Sequence, residues 1–298
     1  LAPDLPDDFH AFWREAAEEA QRFPLEFDRA LGNAYDAPGF LVETYTFRGI
    51  DGEPKYGWIA VPEAWETGQR LPAFLWVPPY GRESKLPDAY GTRTGYVSAS
   101  LNFFGYGPFH QEKYQVDRGY FGEGVLNPET WIFRTMLQNA MIALRVLQAQ
   151  IEVDGDRLAA MGMSQGAGIS IWLGAWSPLI RCVVADMPFL ADIRNTLSHT
   201  VYRYPLKELA DAMERVPLGR ERVFHTLSFY DTSHHATACR VPTQVSLGWK
   251  DPACRPSTVQ RVYEALPGEK RLVEYDWGHD WHPDMIETNR EWLDRWLT

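Results

Sequence analysis

Cysteine is scarce in this chain: three residues in 298, Cys182, Cys239 and Cys254, none in a CxxC spacing. An odd number without close pairs supports neither a disulfide framework nor a zinc site, and it is compatible with a reducing compartment. Long apolar runs are missing too. No stretch reaches the roughly 18 residues a membrane-crossing helix needs, so no membrane association is expected. The opening "LAPDLPDDFH" is acidic where a secretory signal would be basic and then apolar. A cytoplasmic location is therefore expected, with a trimmed leader left open because the chain as given lacks an initiator Met. Dense basic runs are also absent: 29 Lys and Arg face 40 Asp and Glu, a formal net charge of -11. That excludes the electrostatic footprint of a nucleic-acid binder and points to a neutral or modestly polar substrate. Without Gly/Ser linkers, low-complexity tracts or internal repeats, residues 1–298 are expected to form one domain.

Aromatic residues are plentiful, with 12 Trp, 14 Tyr and 15 Phe, enough to build both a core and the walls of a pocket for sugars or acyl groups. Phe9, Phe12, Trp13, Ala16, Ala17 and Ala20 recur at helical spacing behind "LPDD", predicting an amphipathic helix over 7–21. "FLVETYTF" and "PKYGWIAV" flank Asp51-Gly52 and predict an antiparallel hairpin. From Leu71 the pattern changes. "LPAFLWV", "GYVSASL", "RLAAMGM", "RCVVADM", "VPTQVSLG" and "KRLVEYD" are short apolar segments, as expected of strands buried on both faces. Helix-period stretches separate several of them, the clearest being 128–150. The expected fold class is α/β with a mostly parallel central sheet flanked by helices. Residues 187–240, punctuated by Pro188, Pro205 and Pro217, read as a helical insertion over that sheet. Within it, His234-His235 reads as a solvated or capping turn.

The segment "LAAMGMSQGAGIS" carries Gly162-x-Ser164-x-Gly166 between a predicted strand and a helix. That setting matters because a sharp strand-to-helix turn crowds the backbone and leaves the serine hydroxyl exposed above the sheet. A serine hydroxyl is a weak nucleophile, so it needs a histidine to take its proton and a carboxylate to orient that histidine. Asp251 follows the strand "VPTQVSLG" and His279 follows "KRLVEYD", each at the strand's C-terminal end and in the chain order Ser, Asp, His. Asp186 and Asp276 are the rival carboxylates, the first better placed for capping and the second in the same turn as the histidine. His282 could imitate a metal pair with His279, yet no third ligand is recognisable nearby, so no metal and no cofactor are expected. The backbone N–H of Gln165, the residue after the serine, is one expected donor to the oxyanion that attack would generate.

At "PDDFHAFWREA", "GMSQGAG", "VADMPFLADI" and "GWKDPACRPSTV", with "GHDW" at the histidine, the sequence resembles the acetyl xylan esterase and cephalosporin-C deacetylase family of α/β-hydrolases. The resemblance implies Ser164, Asp251 and His279 as triad, a second oxyanion donor at Tyr80 in "PPYG", and a ring-like homo-oligomer. Three departures stand out: Pro78-Pro79 where His-Gly is usual, Phe104-Gly105-Tyr106 in place of Arg-Gly-Gln, and Asp280 in place of a glutamate. Phe104 and Tyr106 thus become candidate substrate-pocket residues, with tolerance of acyl groups longer than acetyl as the consequence. The function expected is a serine carboxylesterase acting on a small-molecule ester, an acylated sugar or similar alcohol. A hydrolase of bulkier esters or peptides and a catalytically silent carbohydrate-binding protein are the alternatives.

Overall fold

The computed structural model describes residues 5–198 and 203–298. Helix α1 (Phe9–Arg22) leads into three antiparallel strands, β1 (Phe27–Ala30), β2 (Phe40–Arg48) and β3 (Pro54–Pro62). Strands β4 (Leu71–Val77) and β5 (Val97–Asn102) follow, then α2 (Ile132–Gln148), β6 (Val153–Met163), α3 (Gln165–Trp176) and β7 (Ile180–Asp186). The insertion supplies α4 (Ile193–Ser198), α5 (Leu206–Glu214), α6 (Gly219–Tyr230) and α7 (Thr232–Ala238). The chain closes with β8 (Thr243–Gly248), α8 (Pro256–Ala265), β9 (Lys270–Tyr275) and α9 (Met285–Leu297).

The strands form one sheet in the order β1-β2-β3-β5-β4-β6-β7-β8-β9. From β5 to β9 neighbouring strands are parallel, and β3 joins antiparallel to β5, so the predicted hairpin is the flank of the main sheet. All six apolar segments are strands, and the reason they read as continuous apolar runs is visible in the packing. Ala73, Leu75 and Val77 of β4 face one core with α1, α2 and α3, while Phe74 and Trp76 face a second core with Trp292, Leu293 and Leu297 of α9. A strand covered on both faces has no solvent side on which to place polar residues. Strand β1 escaped the sequence reading because "FDRA" has no apolar run. It is held by pairing with β2 and by Arg29, whose guanidinium meets Glu43 at 2.6 Å and Glu152 at 3.0 Å.

The insertion folds as helices, with one difference from expectation. His234 and His235 are buried in α7, where His235 lies in ring contact with Phe9, Trp13 and Trp176, and the Trp176 indole N–H reaches His235 Nδ1 at 3.2 Å. Cap duty falls to Asp231, which accepts from Ser233 N. The aromatic face of α1 needs a covering partner, and only the tertiary arrangement brings α7 to it. Burial pushes the His235 pKa well down, so the imidazole is neutral.

Candidate active site

Strand β4 is followed in space by β5 on one side and β6 on the other, so the strand order reverses at β4, and open α/β sheets bind ligands at the carboxyl ends beside such a point. Ser164 stands there, directly after β6. It has φ 58° and ψ −120°, a conformation that side-chain-bearing residues adopt only under constraint. The constraint is close packing. A Cβ on Gly166 would lie 2.1 Å from the Val77 carbonyl oxygen, and one on Gly162 would lie 2.5 Å from the Gly166 carbonyl carbon, so both glycines are required for the turn to close against β4. Backbone bonds lock it: Ser164 N–H donates to Asp186 O at 2.9 Å, and Ser164 O accepts from Phe189 N–H at 3.0 Å. The serine is only 6% exposed, more covered than the sequence motif implies, because the start of the insertion closes over the turn.

The acid loop and the histidine loop are joined by Lys250 N–H donating to Trp277 O at 2.8 Å. Asp251 has a fully buried side chain; Oδ1 accepts from the Ala253 and Cys254 N–H groups at 2.7 and 2.8 Å, leaving Oδ2 to His279 Nδ1 at 2.7 Å. His279 Nε2 then lies 3.0 Å from Ser164 Oγ. An ionised carboxylate only accepts, so Nδ1 carries the proton and Nε2 presents its lone pair to the hydroxyl. The rival carboxylates are elsewhere. Asp186 accepts from Ser246 and Asn289 deep in the sheet, and Asp276 pairs with Lys250 at the surface. His282 stacks on Tyr275, 4.6 Å between centroids, and does not join His279 in a ligand pair.

Gln165 opens α3, and Tyr80 follows β4, against whose Val77 carbonyl the serine turn packs. Neither backbone N–H is taken by another group of the chain among the described residues. Tyr120 joins the two: its hydroxyl accepts from Gly81 N–H at 3.1 Å and donates to Gln165 Oε1 at 2.9 Å, while its ring stacks on Tyr80 at 4.5 Å. Nothing in the sequence singled out Tyr120. Phe104 packs on Tyr120 at 4.6 Å beneath the Arg82 guanidinium, and Tyr106 stacks on His110 and accepts from Arg118, so both reach the site only through neighbours.

Cys254 was legible in the acid-loop segment but carried no assigned role. Its thiol falls beside Asp251 and His279, the three potential ligand atoms lying within 4.8 Å of one another. Burial and the Asp251 charge push the thiol well up, only partly offset by its contact with the Ser164 hydroxyl. The Asp251 oxygens are already committed to two N–H groups and the imidazole. The donor set therefore suits a hydrogen-bonded relay better than a metal.

Sheet order, strained serine turn and aligned side chains define an α/β-hydrolase. The family model described as acetyl xylan esterase matches residues 2–298, and the chain belongs to that family. It is 21% identical over 284 residues to the acetyl esterase Axe7A of Xylanibacter ruminicola, an alignment that takes in 90% of this chain and spans 62% of that protein's length. Among solved structures, an acetyl xylan esterase from Paenibacillus sp. superposes with a TM-score of 0.87 at 24% identity, covering 98% of this chain and 96% of that one. Acetyl xylan esterase 1 from Thermoanaerobacterium sp. gives 0.84 at 22% identity, covering 97% and 93%. No helix among the described residues is long and apolar enough to cross a membrane.

Proposed function

We propose that the chain is a serine carboxylesterase that removes acetyl, and other short acyl groups, from acylated carbohydrate alcohols. The observation that carries this reading is the line Asp251–His279–Ser164, with links of 2.7 and 3.0 Å, at a strained turn beside two free backbone donors. Ser164 Oγ attacks the ester carbonyl as its proton passes to His279 Nε2. The tetrahedral oxyanion is held by the N–H groups of Tyr80 and Gln165. Its collapse breaks the bond to the alcohol oxygen, which takes the proton from Nε2, and the acyl group stays on Ser164. Water then attacks the acyl carbon, yields its proton to Nε2, and the returning proton frees Ser164 with release of the carboxylic acid. The sequence of steps calls on no metal or organic cofactor.

Support for a short acyl group comes from the match to the acetyl xylan esterase family model and from a relative named as an acetyl esterase. The test is hydrolysis of acetylated xylo-oligosaccharides and of 4-nitrophenyl acetate and butyrate. Ser164→Ala should fold and lose several orders of magnitude in turnover, on the order of the loss seen when an activated nucleophile is removed. Turnover within tenfold of the parent would remove Ser164 from its role. An unchanged butyryl-to-acetyl ratio in both Phe104→Ala and Tyr106→Ala would remove those residues from acyl selection.

A further inference from the structure

Three segments distant in sequence meet at one carboxylate outside the triad. Glu208, on α5 of the insertion, accepts through Oε1 from the Tyr80 hydroxyl at 2.5 Å and the Tyr114 hydroxyl at 3.0 Å, and through Oε2 from the Phe121 backbone N–H at 2.7 Å. Space for it is made by Gly119, where a Cβ would stand 2.2 Å from Glu208 Oε1. The Tyr80 ring is thereby held at a face, an edge and its tip: stacked on Tyr120 at 4.5 Å, met edge-on by Phe121 at 4.8 Å, and tethered by Glu208. Burial, together with the Glu208 bond and charge, pushes the Tyr80 phenol far up, so it remains a donor across the working pH range.

We propose that Glu208 is a positioning residue, which fixes the Tyr80 side chain and through it the orientation of the Tyr80 peptide N–H toward the oxyanion. The inference rests on the reading of Tyr80 as an oxyanion donor. The link from side chain to backbone is geometric. A ring held at its tip, face and edge has one orientation relative to its Cα, and the peptide between Pro79 and Tyr80 follows. Releasing the tip lets that peptide rotate, and a donor that points away from the developing charge weakens the transition state more than the bound ester. The insertion would thus contribute to catalysis without touching substrate.

The experiment is a kinetic cycle on the whole protein with 4-nitrophenyl acetate, using Glu208→Ala, Glu208→Gln, Tyr80→Phe and the Tyr80→Phe/Glu208→Ala double variant. Glu208→Ala should lower kcat by about tenfold or more, as displacement of a catalytic group does, with KM within about twofold. Glu208→Gln should recover most of the loss, since its carbonyl can serve Phe121 N–H while its amide N–H donates to the Tyr80 oxygen. Tyr80→Phe should match Glu208→Ala, and the double variant should be no worse than either single. Parental kcat in Glu208→Ala, or losses that multiply in the double variant, would overturn the inference. If Glu208→Ala does not fold, parental kcat in Tyr80→Phe overturns it equally. A parent without esterase activity, or an active Ser164→Ala, would overturn the Tyr80 reading and this inference together, whereas an active parent with unimpaired Glu208→Ala overturns the inference alone.

Discussion

Replacing Asp251 by Asn removes a charge and little volume, yet the hydrogen-bond geometry makes it severe. The amide has one oxygen, and the Ala253 and Cys254 N–H groups, at 2.7 and 2.8 Å, claim it. The NH2 group must then face His279 Nδ1, which can only accept from it. The ring proton moves to Nε2 and confronts Ser164 Oγ where a lone pair is needed. The same exchange in a serine protease lowers kcat about ten-thousand-fold, close to 5.4 kcal/mol at about 1.36 kcal/mol per tenfold. The amide could instead flip, restoring the working tautomer but leaving two buried N–H groups facing NH2. At about 1–3 kcal/mol for each unsatisfied donor, the flip costs roughly 2–6 kcal/mol, so the loss through that route is still on the order of 30-fold at the least. The assay is kcat/KM on 4-nitrophenyl acetate, with thermal unfolding to show that the fold persists. Asp276→Asn is the control, because its exposed pair with Lys250 should leave activity within about twofold. Activity within tenfold in Asp251→Asn, or a crippling effect of Asp276→Asn, would refute the assignment.

Ser164→Gly should be inactive but more stable than Ser164→Ala by about 1 kcal/mol, because only glycine relieves the strain at φ 58°, ψ −120°; a melting temperature for the alanine variant equal to or above that of the glycine variant would count against stored strain. Gly166→Ala should lose several kcal/mol of stability, on the order of a severe steric substitution, since its Cβ would meet the fixed Val77 carbonyl at 2.1 Å, and an unchanged denaturant midpoint would show that β4 can yield. His235 supplies a pH dependence. Its pKa is lowered by burial, so below the unfolded value of about 6.5 the unfolded chain binds a proton that the native state refuses, and stability falls as pH falls at up to about 1.36 kcal/mol per unit. Equilibrium denaturation between pH 7 and 5 should show that slope in the parent and a shallower one in His235→Gln; identical slopes would place the acid lability elsewhere.

The sheet and the candidate residues at its edge were legible in the sequence because both depend on local pattern. Strands covered on two faces must be apolar throughout, and a nucleophile turn must pair a serine with glycines where β4 presses against it, so the six strands, Ser164, Asp251 and His279 could be read from spacing and order alone. The four-residue β1 was not legible, since its place is held by pairing with β2 and by Arg29 reaching Glu152, 123 positions away. Asp186 and Asp276 stood as rivals to Asp251 in the sequence, because the three differ in what their loops and helices bring beside them in space. His234 and His235 look like polar turn residues until α1 is laid over them. Tyr120 and Glu208 have no motif, for their roles consist of hydrogen bonds to Gly81, Gln165, Tyr80 and Phe121, supplied by separate segments. Local periodicity and turn sterics determined the scaffold and the candidate residues at its edge; long-range packing decided which carboxylate meets His279, how far the serine is covered, and what surrounds Tyr80 and Gln165.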